Sequence, residues 1–187
     1  MAAQTKIRRR SASSSVARYL CALTLALGAL PACGGSGGAA SHAISDHPLL
    51  GAVAPPLDVP MPTSKGKLSL KAQHGKVVIV DFWATWCEPC RASFPAYQQL
   101  TEEFAGKLVV LGVSVDDSPE GIAAFVNETQ VKFPIGWDEG QNVAQSYRPT
   151  KMPTSFVIDR SGIIRFIHGG FSPGDEAQIR EEVRSLL

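Results

Sequence analysis

Cys87 and Cys90, with Glu88 and Pro89 between them, are the side chains whose type and spacing suit redox chemistry. Two thiols three positions apart supply a nucleophile and a resolving thiol, the pair that thiol–disulfide exchange needs. The attacking species is the thiolate. A helix N-terminus favours it, because unpaired amides and the positive end of the dipole meet the sulfur there. Cys87 is therefore the expected outward-facing nucleophile, with a depressed pKa, and Cys90 the more buried resolving thiol. Glu88 and Pro89 tune the pair, the charge of Glu88 opposing a thiolate that the helix end favours. A CxxC alone also fits half a zinc site or a structural bridge. Two thiolates leave a zinc shell unfilled, and a bridge over so small a loop constrains the unfolded chain little.

The elements that must place these sulfurs are a strand before and a helix after. Residues 76–82 form a continuous apolar run, as in a strand buried on both faces. Asp81 sits near its end. A carboxylate there is costly without a role, and burial raises its pKa towards neutrality, which suits a proton acceptor for Cys90. After Cys90, Phe94, Tyr97, Leu100, Thr101 and Phe104 recur at helical spacing, with a kink expected at Pro95 and an end at Gly106. Residues 108–115 read as a second buried strand. Asp116 to Glu120 read as a helix start, with Ser118 as N-cap and Pro119 at the first position, for a helix carrying Ile122, Phe125 and Val126. A short strand over 133–137, with Trp137 as a core anchor, and a short helix over 142–147 follow. Residues 155–159 and 163–168 predict paired strands around a turn, and Ile179, Val183 and Leu186 a last helix. Upstream, 57–59 and 67–71 predict a small hairpin.

The constellation around the cysteines resembles the thioredoxin active site. Asp81 lies six residues before Cys87, Trp86 immediately before it, Pro89 inside the pair and Pro95 five residues after it. The Glu88-Pro89 dipeptide and the chain downstream are similar to the membrane-tethered TlpA/ResA-type oxidoreductases. The resemblance covers roughly residues 53–187. It implies a thioredoxin-like three-layer α/β/α sandwich with a mixed central sheet, an N-terminal hairpin and a central insertion. It implies Asp81 as base and Pro153 as a cis-proline facing the CxxC. Trp86, Glu88, Pro89, Met152 and Thr154 would form the docking surface for a protein disulfide or dithiol. It implies an extracytoplasmic reductase of apocytochrome c or metalloprotein thiols, fed by a membrane thiol-relay donor and needing no cofactor. Ser93 departs from the family pattern, which often has Glu there, so proton handling is expected to be thioredoxin-like. Two other readings are a redoxin-family peroxidase, although the upstream Pro is absent and Thr85 lies only two residues ahead of Cys87, and a copper or zinc chaperone. No resident metal is expected, and His168 is expected to be structural.

The chain of 187 residues carries a net charge of +1. Lys6, Arg8, Arg9 and Arg10 precede a short apolar run, residues 19–30, too short for a comfortable span. Leu30-Pro31-Ala32-Cys33 resembles a bacterial lipoprotein signal, with Pro31 unusual in it. Residues 1–32 are then a signal peptide, Cys33 carries lipid, 33–48 form a flexible tether with His42 and His47 solvated, and 49–187 form one domain. The mature chain retains 13 basic and 17 acidic residues, a net of −4, and offers nothing basic for nucleic acid. A lipid-anchored monomer of the cell envelope, on the inner or outer membrane, is expected.

Overall fold

A computed structural model describes residues 42–187; the expected signal peptide, Cys33 and the first part of the tether lie outside the described residues. Strands β1 (Asp58–Pro60) and β2 (Lys67–Ser69) pair antiparallel as the expected hairpin. The central sheet is built from β3 (Val77–Trp83), β4 (Leu108–Ser114), β5 (Ile135–Trp137), β6 (Thr154–Ile158) and β7 (Ile164–Gly169). Their spatial order is β5-β4-β3-β6-β7. β3 runs parallel to β4, and β4 to β5, while β6 is antiparallel to β3 and to β7. The sheet is mixed, as expected. β3 lies at its centre and is buried along its whole length, which explains its unbroken apolar run.

Among the described residues, four α-helices flank the sheet: α1 (Glu88–Glu103), α2 (Ile122–Thr129), α3 (Asn142–Tyr147) and α4 (Asp175–Ser185). Alternation along β3 separates two aromatic clusters. Trp83 meets Phe94 of α1 and Phe125 of α2 at ring centroid distances of 4.8 and 4.6 Å. Phe82, one residue earlier and so on the other face, meets Tyr147 of α3 and Phe156 of β6. The hairpin lies over β5, where Gly136 leaves room for it: a Cβ there would sit 2.4 Å from Val59 and 2.9 Å from Leu68.

Two local expectations are corrected. α2 starts at Ile122, after a left-handed Gly121, and residues 118–121 form a turn in which the Ile122 amide donates to Pro119. Ser118 is therefore not its cap, because the chain is still turning away from the end of β4. α1 spans Glu88–Glu103 with Pro95 inside it, on its exposed side. Residues 42–48 are not a free tether. The Ile44 amide donates to Ile167 at 2.7 Å and the Gly169 amide to His42 at 2.9 Å, while Ala43 bridges His168. His47 is buried, with Nε2 at 3.1 Å from the Arg148 carbonyl and its ring on Phe156. His42 Nδ1 meets Asp175 at 2.7 Å. Backbone pairing to a sheet edge needs no apolar side chains, so a linker-like composition concealed it.

Candidate active site

β3 ends at Trp83, and four residues on the chain reaches Cys87, the N-cap residue of α1. Cys87 and Cys90 are joined as a disulfide. The Cys90 amide donates to Cys87 Sγ at 3.2 Å, so the sulfur takes the place of an ordinary capping oxygen. Pro89 fits the first turn, where its missing N–H leaves no intrahelical bond unmade. Cys90 is fully buried, and Cys87 is only 3% exposed. The expectation of an outward-facing Cys87 is thus corrected: nearly all of its surface is covered in the disulfide form. Trp86 beside it is 70% exposed, and Glu88 and Pro89 are exposed too.

The loop before Cys87 is pinned by a residue that sequence reasoning had assigned to a helix start. Asp116, just beyond β4, is buried and accepts hydrogen bonds from the Thr85 amide, the Thr85 hydroxyl and the Ser114 hydroxyl. Its carbonyl in turn accepts the Trp137 indole N–H at 2.8 Å. The available signal was positional. β3 and β4 are parallel neighbours, so an acid just past β4 lies beside the loop leaving β3.

Asp81 is fully buried on the same face of the sheet as Trp83. Its Oδ1 accepts a 2.6 Å hydrogen bond from Ser155, its register partner on β6, and Oδ2 has no hydrogen-bond partner. Burial raises the carboxyl from 3.8 to about 7, and the Ser155 hydrogen bond offsets part of that. The Tyr97 hydroxyl of α1 lies 2.6 Å from Ser155 Oγ. His168 follows Ser155 in the same cross-strand row and meets Glu182 of α4 at 2.6 Å, which gives it a structural partner. Sequence reasoning placed Tyr97 only as a core position and missed Ser155. Hydroxyls at otherwise apolar positions were the one signal for them.

The Met152–Pro153 bond is cis. The Met152 amide and carbonyl have no hydrogen-bond partner among the described residues, and its side chain is half-buried. Thr154, expected on the docking surface, is fully buried; its hydroxyl donates to the Lys151 carbonyl at 2.5 Å and so braces the turn before Pro153. Ser93 is buried and donates to the Cys90 carbonyl at 3.1 Å.

The AhpC/TSA family profile matches residues 50–167. The thioredoxin-like protein YneN of Bacillus subtilis (strain 168) is 38% identical over 107 residues, which cover 56% of this chain and 62% of YneN. The thiol-disulfide oxidoreductase ResA of Bacillus anthracis is 36% identical over 97 residues, 51% of this chain and 56% of ResA. The chain thus spans less than two thirds of either curated relative. Among solved structures, a thiol:disulfide interchange protein of the DsbE type from Chlorobium tepidum is 33% identical, with a TM-score of 0.69, over 73% of this chain and 96% of that one.

Proposed function

Because the chain belongs to the AhpC/TSA family, on the TlpA/ResA-like side of the thioredoxin superfamily, we propose that it is a thiol–disulfide oxidoreductase. It reduces disulfides of extracytoplasmic proteins through a Cys87–Cys90 cycle. The observation that carries this reading is the bonded pair at the N-cap of α1, Cys87 barely exposed and Cys90 fully enclosed. In the reduced enzyme the helix end favours a thiolate at Cys87. That thiolate attacks one sulfur of the substrate disulfide, forming a mixed disulfide and expelling the other substrate sulfur as a thiolate. Cys90 gives its proton to Asp81 and attacks Cys87 Sγ, releasing the second substrate thiolate. The substrate gains two electrons, its two thiolates take up protons from solvent, Asp81 returns its proton to solvent, and Cys87–Cys90 becomes the disulfide. A membrane thiol-relay protein then reduces it again.

Substrate segments dock in extended form along the unpaired backbone of Met152, beside Pro153, with Trp86, Glu88 and Pro89 flanking Cys87. Apocytochrome c or metalloprotein thiols are the proposed substrates. Export and lipidation at Cys33 hold the domain at the cell-envelope membrane. Eight residues separate Cys33 from His42, the first described residue, a reach of at most about 30 Å.

Purified Cys90→Ser protein should accumulate mixed disulfides at Cys87, and Cys87→Ser should accumulate none. Wild type should reduce insulin disulfides and leave hydrogen peroxide unconsumed. The reverse pattern would establish the peroxidase reading, against which the Thr85 hydroxyl is already committed to Asp116. Palmitate labelling lost in Cys33→Ser tests the anchor.

A further inference from the structure

The buried chain Tyr97–Ser155–Asp81 joins α1 to β6 and β3 by two 2.6 Å hydrogen bonds. Proton counting fixes its direction. Ser155 has one hydroxyl proton and gives it to Asp81 Oδ1, so the proton between the two hydroxyl oxygens belongs to Tyr97. Tyr97 is fully buried, and burial together with the nearby charge of Asp81 raises it well above the usual tyrosine value. It therefore stays a phenol and keeps donating. The other ionisable groups acting on Tyr97 are Asp175 and Glu182 of α4, held by His42 and His168 respectively. They repel a phenolate, as Asp81 does. The whole chain is polarised towards one carboxylate oxygen, while Oδ2 is left with no partner.

We propose that Tyr97 and Ser155 are positioning residues for the resolving step, fixing Asp81 through Oδ1 so that Oδ2 is the lone acceptor for the Cys90 proton. This rests on Asp81 being the base. The step itself is a proton transfer: the Cys90 S–H bond breaks, its proton goes to Oδ2, and the freed electron pair forms the bond to Cys87 Sγ. The substrate sulfur leaves with the electrons of the mixed disulfide and takes up the proton afterwards.

The test is the pH profile of resolution, measured in a single turnover from a preformed mixed disulfide at Cys87, beside the Asp81 carboxyl titration followed by NMR. Ser155→Ala removes a donor to the anion, so the midpoint should move up by about one unit and the rate at pH 7 should fall by up to about tenfold. Tyr97→Phe should shift it the same way by less, and Ser155→Thr, which keeps the hydroxyl, should restore the wild-type profile. Above the new midpoint the variant rates should rejoin wild type, which a general packing defect would not allow. In an Asp81→Asn background both substitutions should lose their effect. Unshifted midpoints in Ser155→Ala and Tyr97→Phe, with Asp81→Asn still slow, would overturn the positioning role alone. Wild-type resolution in Asp81→Asn would overturn the assignment of the base and this role with it.

Discussion

Asp116 holds Thr85 three ways: the Thr85 amide lies 3.2 and 3.1 Å from its two carboxylate oxygens, and the Thr85 hydroxyl donates to Oδ1 at 2.8 Å. Thr85 is two residues from Cys87, so this clamp sets where the strand end delivers the sulfur. Asp116→Ala leaves the Thr85 donors and the Ser114 hydroxyl without their acceptor. It should cost about 3 kcal/mol in urea unfolding and slow insulin reduction at temperatures where the protein remains folded. Wild-type stability and rate together would refute the clamp.

Asp81 gives a signed pH dependence. Its folded carboxyl titrates at about 7 against 3.8 as a free side chain, so the native state binds a proton that the unfolded chain has lost. Stability therefore falls as pH rises through that window and levels off above it. Asp81→Asn removes the titration. In the oxidised protein the two should be nearly equal below about pH 4, and the variant should gain up to roughly 4 kcal/mol by pH 8. Parallel stability curves across this range would contradict the burial argument.

Trp86 offers a separation of docking from folding. It is 70% exposed beside a nearly enclosed Cys87. Trp86→Ala should change stability by less than about 0.5 kcal/mol and raise KM for a protein disulfide about fivefold. Unaltered KM in steady-state reduction would remove Trp86 from the docking surface.

Gly136 tests the seating of the hairpin. A Cβ there would meet Val59 at 2.4 Å and Leu68 at 2.9 Å. Gly136→Ala should cost about 1–3 kcal/mol by overpacking, read by thermal unfolding. The redox pair is bonded within a separate loop and should stay intact.

The strands were legible because buried, continuous apolar runs leave little choice, and α3 was legible to the residue. The cysteines announced themselves by type and spacing. What stayed hidden depended on partners distant in sequence. Asp116 looked like part of a helix start until β4 set it beside Thr85. Ser155 and Tyr97 became meaningful only when register and helix packing brought them to Asp81. Thr154 was placed on the surface from its neighbour Pro153, whereas its hydroxyl was needed to satisfy the Lys151 carbonyl inside the turn. Residues 42–48 passed for a linker because their pairing with the sheet edge is made by backbone atoms, which composition does not encode.

The segment from His42 to Ala54 has one more effect. Besides its contacts with Ile167 and Gly169, it exchanges backbone bonds with Ile164 through Gly51 and Ala52. Within the described part of the central sheet, the outer margin still open is that of β5, three residues long. A protein proposed to handle half-folded clients thus offers them scarcely any spare ladder along its central sheet on which to nucleate a β-aggregate.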